Sequence, residues 1–162
     1  MKNFKYVFSI LILFYLLTNF YQNYIYYKIP YNPLVEFTKD TPRGFHFSKN
    51  HPNNSINKSS HNLDTNTLIF KYFSDLNLIP LKEKAHWNEI HKHEKEIYFS
   101  GMFEFVPPAN NKIFIDEIYL DNLTIIAIRS DKRGFHDGYY KIIGSKFDYK
   151  YINDLITNSQ KL

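Results

Sequence analysis

Ile97–Phe105 reads Ile-Tyr-Phe-Ser-Gly-Met-Phe-Glu-Phe. Ile97, Phe99, Gly101, Phe103 and Phe105 fall on one side of an extended chain, and Tyr98, Ser100, Met102 and Glu104 on the other. A period of two is the mark of a strand with one face against a core. The segment after it, Pro107–Asn111, is Pro-Pro-Ala-Asn-Asn and reads as a turn. Two β-branched runs follow, Ile113–Leu120 and Leu123–Arg129. Asp121 and Asn122 between them tolerate positive φ and suit a tight hairpin. A polar turn from Ser130 to Gly138 then leads to a fourth strand at Tyr139–Ile143. Links this short impose antiparallel neighbours.

Helices bracket this strand set. Leu68, Ile69, Tyr72, Phe73 and Leu76 have helical spacing and end before Pro80. Residues 82–95 are strongly polar and read as a loop. Tyr151, Ile152, Leu155 and Ile156 mark a closing helix, with Ser145 and Asp148 spaced as a capping box. The expected domain, residues 64–162, is therefore α+β, with a four-stranded antiparallel sheet flanked by two helices in the order α-β-β-β-β-α. Two amphipathic helices are needed to cover the apolar face of such a sheet.

Upstream, residues 30–63 are rich in Asn, Pro, Ser, Lys and His and read as a polar, flexible stalk. Leu34–Phe37 and Phe45–Phe47 are its apolar islands, placed to dock on the domain. Residues 1–29 read as a membrane anchor. No charged side chain lies between Lys5 and Lys28, and Tyr6–Leu17 is apolar apart from Ser9. Beyond it Thr18, Asn19, Gln22 and Asn23 share one helical face, opposite Phe20, Tyr21, Tyr24, Ile25 and Tyr27. Tyrosines suit the membrane interface. The expectation is a single-pass transmembrane helix that contacts lipid through residues 6–27. Between Ile10 and Arg43 there is no Ala, Ser or Gly, the small residues a signal-peptide cleavage site requires, so the segment is expected to stay attached. Lys2 and Lys5 favour a cytoplasmic N-terminus, with the domain outside the cytoplasm.

Charge narrows the function classes. The 162 residues carry a formal +4, but residues 1–27 hold +2, residues 28–63 hold +3 and residues 64–162 hold −1. Nucleic-acid binding needs a basic face on the folded part, and that part is close to neutral. Cysteine is absent, which excludes disulfides, thiol catalysis and cysteinate zinc.

Two polar clusters carry candidate chemistry. His86, His91 and His93, among Glu89, Glu94 and Glu96, offer imidazole and carboxylate ligands for a metal, although no established zinc spacing accompanies them. Arg133, Phe135 and His136, beside Gly134, and Trp87 in the polar loop are candidate partner contacts. Neither Ser130 nor Ser145 lies in a nucleophile elbow. The expectation is thus a membrane-tethered, non-enzymatic, extracytoplasmic protein-binding module without a cofactor. Accessory and immunity-type envelope proteins fit that description. The alternative is an envelope metal-binding protein or hydrolase that uses the His86–Glu96 loop.

Overall fold

The computed structural model describes residues 2–51, 54–83, 85, 97–107, 111–119 and 122–159, with backbone alone for residues 2–5 and 117. The fold is mixed α+β and is built on one antiparallel sheet. In chain order the elements are α1 (Lys2–Phe20), a π-helical turn (Tyr21–Ile25), a 3-10 turn (Tyr26–Lys28), a second 3-10 turn (Pro33–Phe37), β1 (Pro42–Asn50), β2 (Ile56–Ser60), α2 (Leu63–Ser74), β3 (Leu78–Leu81), β4 (Tyr98–Phe105), β5 (Lys112–Tyr119), β6 (Ile125–Ser130), β7 (Gly138–Ile142) and α3 (Tyr149–Ser159). The strands lie in the order β2-β1-β4-β5-β6-β7-β3.

The alternation in β4 has the expected consequence. Phe99, Phe103 and Phe105 are buried on one face, whereas Ser100, Met102 and Glu104 are only half-buried on the other. Ile113 and Ile115 of β5, Ile126 and Ile128 of β6 and Tyr140 and Ile142 of β7 extend the same apolar face. Ile69, Phe70 and Phe73 of α2 and Ile152 and Ile156 of α3 close over it. The core is largely aromatic. Phe73 lies 5.6 Å from Phe147 and 6.0 Å from Phe103, and Phe45 lies 4.4 Å from Phe103. Rings at such separations pack edge-to-face or offset and gain beyond their area alone.

Gly101 makes room for this packing. A Cβ built there would sit 2.9 Å from two ring carbons of Phe45. The glycine in β4 is thus a point of close approach, one of the uses glycine has inside strands.

Three features depart from the sequence expectation. The sheet has seven strands among the described residues rather than four. Two of the extra strands come from the expected stalk. Phe45 and Phe47 in β1 are buried and alternate with His46 and Ser48, and β1 pairs with β4 through eight residue pairs from Pro42↔Phe105 to Asn50↔Tyr98. Strand β2, Ile-Asn-Lys-Ser-Ser, has little to bury and is held as an edge by β1. A polar edge carrying a lysine protects a sheet from further pairing. The third extra strand, β3, contains Pro80, which reads in sequence as a helix terminator. Proline cannot donate to a ladder, and β3 is the opposite edge of the sheet.

The second departure is at α3. Asp148, not Ser145, caps the helix: its Oδ1 accepts from the Tyr151 backbone N–H at 2.9 Å. The Asp148 N–H donates to Tyr72 Oη at 2.6 Å, which fastens the start of α3 to α2.

The third is at the N-terminus. Lys2–Phe20 is α-helical, as expected, but helical geometry changes to π at Tyr21 and to 3-10 at Tyr26. Among the described residues no helix is long and apolar enough to cross a membrane. The run Tyr6–Leu17, apolar apart from Ser9, amounts to roughly 18 Å of α-helix at about 1.5 Å per residue.

Candidate functional site

The polar loop that carries His86, Trp87, His91 and His93 lies outside the described residues. Among the described residues no group of three or more His, Asp or Glu side chains is arranged to hold a metal. The second predicted cluster is placed. Residues 131–137 form the β6–β7 connection, and backbone and carboxylate bonds hold it at both ends. Lys112 N–H donates to Asp131 Oδ1 at 2.6 Å, and Ser130 N–H donates to Asp137 Oδ1 at 3.0 Å. Within it Phe135 N–H donates to the Lys132 carbonyl at 3.1 Å, and Gly134 adopts φ +83°, a left-handed conformation that favours glycine.

That turn separates the three predicted contact residues. Phe135 folds inward, 5.6 Å from the buried ring of Phe37, and is an anchor of the loop. Arg133 and His136 point outward and are exposed. Lys132 steadies the base, with Nζ 4.6 Å from the Phe37 ring centroid and 3.8 Å from Glu36 Oε2. The loop therefore presents one guanidinium and one imidazole on a braced turn. Such a surface can make polar contacts with a partner, and it has no nucleophile–base arrangement.

The same side of the fold receives the N-terminal helix. Residues Tyr26–Asn32 are not a free linker but a welded root. Tyr31 N–H donates to the Leu78 carbonyl at 2.7 Å, beside β3. The Asn32 carboxamide donates to the carbonyls of Phe73, Ser74 and Leu76 at 2.9–3.0 Å, where α2 ends. Its Oδ1 accepts from Leu34 N–H at 3.0 Å and so caps the second 3-10 turn. Lys82 Nζ lies over two rings of the root, 5.9 Å from the Tyr24 centroid and 5.3 Å from that of Tyr27. Tyr31 Oη donates to Glu36 Oε1 at 2.8 Å. Burial, reinforced by that carboxylate, pushes its phenol up to about 12. Burial also raises Tyr140, whose hydroxyl donates to the His136 carbonyl at 3.4 Å.

Beside the root is a cleft of about 420 Å³, with Tyr27 on one wall. Ala127, Arg129 and Tyr139 contribute from the sheet face opposite the core, since their neighbours Ile126, Ile128 and Tyr140 point inward. Glu83 and Asp137 stand at its margin and are exposed. Sequence reading does not identify this cleft, because its walls come from four separate parts of the chain. The only local sign is the run of tyrosines at the end of the apolar segment.

Above the root, α1 projects with its apolar side chains uncovered by the domain. Tyr6 is 70% exposed, Phe14 69% and Leu17 59%. The polar stripe is partly self-satisfied: Thr18 Oγ1 donates to the Phe14 carbonyl at 2.8 Å, and the Asn23 amide donates to the Asn19 carbonyl at 2.9 Å.

No family model matches the chain, and comparisons with curated proteins and with solved structures return no match.

Proposed function

We propose that the protein is a membrane-tethered, non-enzymatic module that binds a protein partner outside the cytoplasm. The observation that carries this reading is α1, whose large apolar side chains are exposed around the helix while the domain buries its own. A helix apolar on all sides needs an apolar surrounding, and an exposed apolar surface of this extent marks a membrane or partner contact. Lipid is the surrounding that fits. Residues 6–27 enter it, and the π and 3-10 turns continue the helical path of α1 to Lys28. Tyr21, Tyr24 and Tyr27 then lie at the interface, where an apolar ring with a polar tip is favoured. On this reading Lys2 and Lys5 keep the N-terminus on the cytoplasmic side.

The partner surface in this proposal is the braced β6–β7 turn with Arg133 and His136. The welded root supports it, because a domain joined to its tether without slack presents the same side at a constant height. Tethering also raises the local concentration of a partner in the same membrane, so modest affinity suffices.

The test is fractionation of the full chain followed by cross-linking in membranes. The expected result is a chain that stays with membranes after alkaline washing, with the domain accessible to protease from outside. It should also form a cross-link to another protein that weakens in Arg133→Ala/His136→Ala. A full chain recovered in the soluble fraction overturns the tether. A cross-linking pattern unchanged by the double substitution overturns the assignment of the turn.

A further inference from the structure

The cleft beside Tyr27 combines features that a headgroup site requires. It holds two aromatic side chains, Tyr27 and Tyr139, two carboxylates, Glu83 and Asp137, and one guanidinium, Arg129. The guanidinium is already engaged, since Arg129 Nε donates to Asp116 Oδ2 at 3.1 Å and a terminal nitrogen donates to the same oxygen. Its charge is therefore largely answered by Asp116, and the cleft is left with a carboxylate-dominated margin. A cation is attracted by ring faces and by carboxylates alike, most strongly where water is partly excluded. A volume of about 420 Å³ lies in the range of small-molecule sites, about 300–1,000 Å³. Just outside, Lys82 Nζ lies over the rings of Tyr24 and Tyr27 and places a positive charge at the rim.

We propose that this cleft binds the headgroup of a zwitterionic phospholipid, with the ammonium against Tyr27, Tyr139, Glu83 and Asp137 and the phosphate facing Lys82. The inference rests on the membrane reading of α1 and deepens it by naming the lipid. Tyr27 belongs both to the cleft wall and to the tyrosine-rich end of the lipid-facing segment, so the cleft opens at headgroup depth. A cationic side chain of a partner protein has the same ammonium but lacks the phosphate that Lys82 answers. A net-anionic headgroup brings no ammonium to meet the two carboxylates, and they repel it.

The test uses the full chain in nanodiscs of mixed phosphatidylethanolamine and phosphatidylglycerol with matched acyl chains, released gently and weighed by native mass spectrometry. The wild-type chain should retain phosphatidylethanolamine in preference to phosphatidylglycerol. Glu83→Gln/Asp137→Asn should lose about tenfold in that preference, the effect of removing roughly 1.4 kcal/mol of cation recognition. Asn at 137 keeps an oxygen for the Ser130 N–H, so the loop retains its bond, and an unchanged thermal midpoint checks this. A membrane-bound chain with no headgroup preference, or a double variant that retains it, overturns the cleft assignment alone. A chain that fails to enter nanodiscs at all overturns the tether reading as well.

Discussion

The carboxamide nitrogen of Asn32 lies 2.9 Å from the carbonyl oxygen of Phe73, across 41 positions of sequence. Ser74 and Leu76 offer their carbonyls to the same amide at 3.0 and 2.9 Å. The last carbonyls of a helix have no partner within it, and here a residue from the root of the N-terminal segment supplies one. The joint between the N-terminal segment and the domain is consequently part of the fold and not a spacer.

Replacing Asn32 with Ala should cost about 1–3 kcal/mol, because the carbonyls of Ser74 and Leu76 lose this donor and Leu34 N–H its acceptor, while the Phe73 carbonyl keeps the Leu76 N–H. Urea unfolding of the full chain in detergent micelles measures it. Tryptic cleavage at Lys28 and Lys39 should accelerate in the same variant. An unchanged midpoint together with an unchanged cleavage rate would show that the joint is not structural.

Gly101→Ala places a methyl 2.9 Å from Phe45 Cε2 and Cζ. Overpacking of an aromatic core costs about 1–3 kcal/mol. The paired substitution Gly101→Ala/Phe45→Leu should recover part of that loss, since the ring is the obstacle. Strict additivity of the two effects would argue that the strain lies in the strand backbone.

Asn66 is fully buried on the sheet-facing side of α2, and among the described residues neither polar atom of its side chain has a hydrogen-bond partner. A buried polar group in that condition is a net cost. Asn66→Leu, with the same branching and heavy-atom count, should therefore raise stability by about 1–2 kcal/mol, seen as a higher denaturation midpoint. A lowered midpoint would mean that the amide is satisfied in solution.

The start of α3 gives a discriminating pair. Asp148→Ala removes the acceptor for Tyr151 N–H and should cost about 1 kcal/mol. Ser145→Ala, at an exposed position one turn earlier, should stay within about 0.5 kcal/mol. Equal losses would restore Ser145 as the cap.

Alkaline titration reports on the root. Tyr31 stands at about 12 when folded, against 10.0 for an unperturbed tyrosine phenol. A raised folded value means that the native state keeps its proton while the unfolded chain ionises. The contribution is full below pH 10 and lost as pH rises toward 12. Stability should fall across that window, and Tyr31→Phe should flatten part of the slope. Phenolate absorbance and denaturation midpoints taken over the same pH series test this. Full ionisation of every tyrosine near pH 10 without loss of structure would contradict it.

Much of the sheet was legible because its strands obey a local rule. The alternation in Ile97–Phe105 decides which side chains of β4 face inward, and the runs around Ile113 and Tyr140 behave alike, whereas Ile125–Ile128 in β6 is buried throughout. The first strand was hidden in plain composition. Phe45 and Phe47 alternate as clearly as Phe103 and Phe105, but Asn, Ser and Lys around them read as solvated linker. The β5–β6 link was expected to be Asp121-Asn122 alone, and β6 begins only at Ile125, with Leu123 packed against the core. Of the candidate site, Arg133 and His136 lie exposed on the β6–β7 turn, whereas Phe135 turns inward to Phe37.

Hydrophobic periodicity, cap chemistry and charge are properties of neighbours along the chain. They suffice for the α+β class, the apolar N-terminal helix, the closing helix and the near-neutral domain. Strand order, the recruitment of β2 and β3 as edges, the weld at Asn32 and the cleft beside Tyr27 depend on groups tens of residues apart. Those groups meet only after the backbone has satisfied its hydrogen bonds and the phenylalanines have found one core. Pro80 illustrates the difference: locally it ends a helix, and only the position of β3 at the rim of the sheet makes it a residue of a strand.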